Sequence, residues 1–145
     1  MPLRIEPLAA ADLDTGEAVA QIVALWDACR LTRLWNDPVA DLRLAVEGAA
    51  SAVLVGRVGE RLVATVMVGH DGHRGAVYYV AVAPEAQRDG TGRAMMAAAE
   101  AWLKARGVPK LNLMVRRENR AVAGFYAALG YAEEDVVVLS KRLAS

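Results

Sequence analysis

Apolar positions recur along this chain with two different periods, and the switches between them mark the elements. Alternation at residues 3–8 predicts a first strand, and a spacing of three to four predicts a helix over about 13–29. Asp37 as N-cap and Pro38 as first helical residue start a second helix, expected over 38–48. β-Prone runs at 51–58 and 61–69, joined by Gly59-Glu60, predict two strands, and a turn at Asp71-Gly72 leads to a third at 75–83. Met95, Ala98, Ala99 and Trp102 then fall at i, i+3, i+4 and i+7 of a long helix that stops at Arg106-Gly107, with Pro109 beyond. A strand at 110–115, a helix with Val122, Phe125 and Leu129 on its apolar face, and a last strand near 135–142 complete the order. The class expected is α/β (α+β), a mixed and mostly antiparallel sheet of about six to seven strands flanked by about four helices.

Composition narrows the setting. At 145 residues, 55% hydrophobic and 23% charged, the chain reads as one globular domain over residues 1–145. No apolar run is long enough to span a membrane, and the first residues lack the basic and apolar blocks of a signal peptide. A single cysteine, Cys29, cannot form an intrachain disulfide, and it shares a helical face with Ile22, Leu25 and Trp26, where packing is its expected fate. A cytoplasmic location is therefore expected. The 17 basic and 17 acidic residues balance, which argues against general attraction to nucleic acid. Their distribution is uneven, however: residues 1–60 hold nine acids and five bases, residues 85–120 four acids and eight bases. Arg88, Arg93, Arg116, Arg117 and Arg120 are thus available to an anionic ligand, if they are more than solvated surface.

The most informative stretch is Val80-Ala81-Val82-Ala83-Pro84, followed after two residues by Gln87-Arg88-Asp89-Gly90-Thr91-Gly92-Arg93. A strand that ends in glycines at the start of a helix offers unpaired backbone N–H groups, a natural seat for phosphate. A tight strand-to-helix turn is the plainer reading of Gly-x-Gly alone. The full dinucleotide fingerprint fails because Met95 stands where its third glycine is needed, and no Gly-Lys-Ser/Thr follows to make a P-loop.

This stretch resembles the cofactor loop of the GNAT superfamily, the acyl-CoA-dependent N-acyltransferases. Gln87 stands at the usual Arg/Gln position, whereas Arg88 replaces a frequent glycine and Asp89 stands where a basic residue is common. Downstream, Asn119, Phe125-Tyr126 and Leu129-Gly130-Tyr131 are similar to the second motif of that family. The resemblance implies the GNAT fold, with acetyl-CoA as co-substrate and no metal. It further implies Asn119 on the pantetheine arm and Tyr126 near the thioester sulfur. From the residues alone, Asn119 also serves as a helix N-cap and Tyr126 as a core aromatic.

The implied chemistry is direct attack of a primary amine on the thioester, with Tyr126 protonating the departing thiolate. Many members place a glutamate early in the strand before the loop; here no glutamate lies between Arg61 and Pro84. Asp71, His73 and Tyr78 remain as candidates for the base, with Asp37 more distant, although Asp71 and His73 also read as the polar tip of a hairpin. At neutral pH a lysine amine stands about three pK units from its reactive form, roughly 4 kcal/mol, and a peptide α-amine only about 1 kcal/mol. Within the superfamily, Trp35-Asn36-Asp37-Pro38, Asp71-Gly72-His73-Arg74-Gly75 and Tyr78-Tyr79 are similar to the small bacterial YpeA-like acetyltransferases. Trp35, Asn36, Asp37, His73 and Tyr78 are the residues expected to shape the acceptor site, and the acceptor is a small amine or a peptide N-terminus. A catalytically idle acyl-CoA-binding module is the alternative function. Exposed strand edges make a homodimer a further expectation.

Overall fold

The computed structural model describes residues 1–144 as two compact units, one ending at Leu113 and the other beginning at Met114. In the first unit, β1 (Leu3–Pro7), β2 (Ser51–Val58), β3 (Arg61–His70), β4 (Gly75–Val82) and β5 (Leu111–Asn112) form one sheet in that spatial order. The first four strands are antiparallel neighbours, and β5 joins β4 in parallel. The turn from β3 to β4 is the expected one. Asp71 Oδ1 accepts the amides of His73 and Arg74, and Gly72 takes the φ of +87° that an L side chain resists.

Leu62–Val66 are all buried, a run without alternation that requires cover on both faces of the sheet. Helix α1 (Asp12–Thr15) precedes α2 (Glu17–Ala28), and α3 (Pro38–Glu47) and α4 (Thr91–Ala105) complete the unit's α-helices. Helix α4 covers the face carrying Gly56 and Ala64: a Cβ built on Gly56 would lie 3.0 Å from the Met95 sulfur and 3.3 Å from Ala64 Cβ. Thr65, the next residue, points the opposite way, where α2 brings Trp26 to it. Met95, Met96, Leu103, Trp26, Ile22 and Leu42 are buried at these two interfaces, each worth roughly 1.5–3 kcal/mol in apolar burial.

Three expectations are corrected. The helix expected over 13–29 is divided, because Gly16 at φ +78° separates α1 from α2. The strand expected at 110–115 shrinks to Leu111–Asn112, paired with β4 only at Gly75 and Ala76. The strand expected at 135–142 does not form among the described residues, where Val136, Val137, Val138 and Leu139 are exposed. β-Propensity marks a segment that fits a sheet, but a strand exists only with a ladder partner. The sheet therefore has five strands rather than six or seven, within the expected α+β class.

The second unit holds α5 (Arg120–Ala128). Asn119 caps it, its Oδ1 accepting the Val122 amide at 3.3 Å. Phe125 and Tyr131 meet the ring of Tyr126 edge-on, with centroids 5.0 and 5.7 Å away.

Candidate active site

At the C-terminal end of β4 the chain passes through a single 3₁₀ turn, Pro84–Ala86, before α4 begins. Arg88 and Gly90 both take left-handed backbone, at φ +71° and +88°, which swings the segment round into the helix. A Cβ on Gly90 would meet nothing within 4 Å, so the space beside it is open. Asp89 Oδ1 accepts the hydroxyl of Thr91 at 2.6 Å and its amide at 3.2 Å. These bonds, the Thr91 hydroxyl above all, hold the Asp89 carboxyl below its ordinary pKa. The amides of Arg88, Gly90, Gly92 and Arg93 donate to no described residue. Four such N–H groups at a helix start carry the partial positive charge that an anion satisfies. Gln87 turns back instead, donating from Nε2 to the Val82 carbonyl at 2.9 Å, and the Cys29 thiol points to the same oxygen at 3.3 Å. Burial pushes the pKa of that thiol up, an inert setting.

Upstream of the loop, β4 is open along one edge, because its pairing with β5 stops at Ala76. The carbonyls and amides on that edge between Val77 and Val82 have no ladder partner in β5. On the other edge Thr65 faces Ala81 and Met67 faces Tyr78, so Val66 alone opposes both Tyr79 and Val80. This is a β-bulge, and Tyr79 within it has φ +49°. Left-handed backbone at an aromatic residue costs about 1–3 kcal/mol and persists only when the surroundings impose it. Three contacts do so. The Tyr79 ring stacks on Trp26 at 3.8 Å with planes 14° apart, and its carbonyl accepts the Thr65 hydroxyl at 2.9 Å. Its own hydroxyl donates to Asp41 Oδ2 at 2.7 Å. Trp26 Nε1 in turn donates to Thr65 Oγ1 at 2.9 Å, so the buried threonine joins two elements to the bulge. Burial first, then the hydrogen bond and charge of Asp41, raise the pKa of the Tyr79 phenol and keep it neutral.

Beside the bulge lies a cleft of about 740 Å³, walled by α3 and by β3 and β4 with the hairpin between them. Of the residues expected to shape an acceptor site, Asn36 and Tyr78 line it, and so does Asp71, a candidate base. Trp35, Asp37 and His73 do not. Asp37 instead caps α3, accepting the amides of Val39 and Ala40 at 3.1 Å each. Asp71 spends one carboxylate oxygen on the hairpin amides, and those bonds lower its pKa, which weakens it as a base. The residues that sequence reading missed are Asp41, Tyr79, Trp26 and Thr65. A signal existed for two of them: for Tyr79 a tyrosine pair breaking the alternation of β4, and for Thr65 a hydroxyl inside an apolar strand. In the second unit Tyr126 is buried, which raises its pKa and keeps its proton at neutral pH. Among the described residues no group of three or more His, Cys, Asp or Glu is placed to hold a metal ion, and no helix is long and apolar enough to cross a membrane.

A strand edge left unpaired beyond Ala76 that runs into free amides at a helix start offers main-chain donors to a phosphate-bearing ligand. Residues 19–131 match the model of the acetyltransferase (GNAT) family, and the chain belongs to that family. An acetyltransferase of Yersinia enterocolitica is 42% identical over 123 residues, covering 85% of this chain and 87% of that protein. The chain is thus an N-acetyltransferase, of a family that takes its acetyl group from acetyl-CoA. Solved structures extend the likeness of fold. An aminoglycoside acetyltransferase from an uncultured soil metagenomic sample, in complex with sisomicin, superposes with a TM-score of 0.81 at 21% identity, over 98% of this chain and 97% of that one. The aminoglycoside acetyltransferase AAC(6')-Iy, in complex with a bisubstrate analog of coenzyme A and acetylneamine, gives 0.76 at 16% identity, over 98% and 99%.

Proposed function

We propose that residues 1–145 work as one domain that acetylates a primary amine by direct attack in a ternary complex, with Tyr126 as general acid. The observation that carries this reading is the unpaired edge of β4 running into four free amides at Arg88, Gly90, Gly92 and Arg93. The diphosphate of acetyl-CoA fits those amides, with Gly90 leaving room for close approach. Val80, Ala81 and Val82 offer main-chain partners to the pantetheine arm, and Asn119 is the second-unit residue assigned to it. Acetyl-CoA supplies an activated acetyl carbon on a leaving thiolate. As the amine nitrogen bonds that carbon, the C–S bond breaks, the sulfur takes a proton from the Tyr126 hydroxyl, and the proton shed by the nitrogen passes to solvent, from which the Tyr126 phenolate regains its own. A thiol's ordinary pKa near 8.5 lies below that of a phenol, and burial raises Tyr126 further, so the transfer runs uphill and needs the phenolate to be reprotonated. The bulge at Tyr79-Val80 supports this reading, because it sets a kinked backbone beside the cleft proposed to receive the amine.

The test is a pair of measurements on one protein. Acetyl-CoA binding is read by calorimetry, and release of CoA thiol is followed against a panel of amines. We expect saturable binding and acceptor-dependent thiol release. In Tyr126→Phe, turnover should fall about 10²-fold at neutral pH while acetyl-CoA affinity hardly changes. Unchanged turnover would remove Tyr126 from the mechanism, and binding without thiol release for any amine would favour an idle acyl-CoA sensor.

A further inference from the structure

The attacking amine must be neutral when it reacts, and a carboxylate that touches it can take its proton. A carboxylate held a side chain's length from the proposed place of the thioester suits a second ammonium group instead, one that does not react. Asp41 is such a carboxylate. It lines the cleft from α3, half-buried, with Oδ2 fixed by the Tyr79 hydroxyl at 2.7 Å. Its Oδ1 accepts from no donor among the described residues. Tyr79 is itself locked by the Trp26 stack and the Thr65 hydroxyl, so the acid has a defined position rather than a mobile one.

The other charged side chains facing the cleft are Asp71 and Arg74, both from the hairpin tip and opposite in sign; His70 joins them with Nδ1 accepting the Gly72 amide. Those two charges offset one another, which leaves the Asp41 carboxylate as the unbalanced one. The walls between carry Leu31, Leu44, Ala45, Met67, Val68 and Ala76, with Asn36, Tyr78 and Asn112 among them. The apolar part of that surface takes methylene groups readily. Distance fits as well. Asp41 meets the tip of Tyr79, whose backbone forms the bulge, so it stands one tyrosine side chain away from the β4 main chain where the thioester is proposed to lie.

We propose that Asp41 seats a second, non-reacting ammonium group of the acceptor, which makes short aliphatic diamines the preferred substrates. This rests on the N-acetyltransferase reading above and names its acceptor class. An amino sugar with two amines carries the same pair of charges on a different frame, and the experiment separates the two sources. Thiol release is measured with putrescine, with butylamine, which lacks only the second amine, and with neamine. The kcat/KM for putrescine should exceed that for butylamine by about ten- to a hundredfold, the worth of one hydrogen-bonded charge contact, and mostly through KM. In Asp41→Asn that ratio should fall close to one. Tyr79→Phe keeps the stacked ring but frees the carboxylate, so the ratio should fall partway, and this variant serves if Asp41→Asn does not fold. Equal use of putrescine and butylamine, or a ratio unmoved by both substitutions, overturns the seat and leaves acetyl transfer standing. Neamine preferred over putrescine overturns the aliphatic assignment. No transfer to any amine despite saturable acetyl-CoA binding removes the enzyme reading, and the seat with it.

Discussion

The two ends of β4 do different work with different materials. Beyond Val82 the chain presents main-chain N–H groups, and side chains matter there mainly by being small or by tying the loop down, as Gly90 and Gln87 do. At the bulge the situation is reversed. There the groups that face the cleft are side chains, and each is held by another: Asp41 by Tyr79, Tyr79 by Trp26 and Thr65, Trp26 by Thr65. A backbone site tolerates changes of residue type provided the turn survives. A site built from interlocked side chains does not, because each removal leaves a buried partner unsatisfied.

The sharpest way to break this contrast is at Thr65. Thr65→Val keeps the shape and removes one donor and one acceptor, stranding Trp26 Nε1 and the Tyr79 carbonyl. It should destabilise the fold by about 1–3 kcal/mol in urea titration and weaken acceptor use more than acetyl-CoA binding. An unchanged midpoint would mean that the network is incidental. Next in size is Gly90→Ala. Its Cβ meets no atom, so the penalty comes from the left-handed backbone, about 1–2 kcal/mol, and from intrusion into the space beside the amides. Acetyl-CoA affinity should drop about tenfold by calorimetry; a wild-type value would show that the loop does not hold the diphosphate. The smallest effect is expected at Asp89. Asp89→Asn retains an oxygen that accepts from Thr91 and removes a negative charge from the loop, so affinity for acetyl-CoA should rise by about threefold with little change in stability. A loss of affinity would instead give the carboxylate a direct part in binding.

This contrast also explains what could be read without coordinates. The loop end is written in consecutive residues, 80–93, and its strand end, glycine turn and helix start are local features, so they were legible in the sequence. The helix and hairpin boundaries at Asp37-Pro38 and Asp71-Gly72 were legible for the same reason. The bulge end is assembled from residues 26, 41, 65 and 79, which only the folded sheet brings together. Nothing local distinguishes Asp41 from a solvated helix residue, and Tyr78 was picked where its neighbour Tyr79 is the one turned into the network. The missing strand at 135–142 has the same origin, since apolar alternation says nothing about whether an edge is available to pair with.

The central claim is that free amides at the start of α4 grip the diphosphate of acetyl-CoA. Titrating coenzyme A into the ¹⁵N-labelled chain tests it amide by amide. The resonances of Arg88, Gly90, Gly92 and Arg93 should move together, saturably and further than those of the hairpin at 71–74. If those four stay in place while the protein binds the ligand, the nucleotide sits elsewhere and the account is wrong.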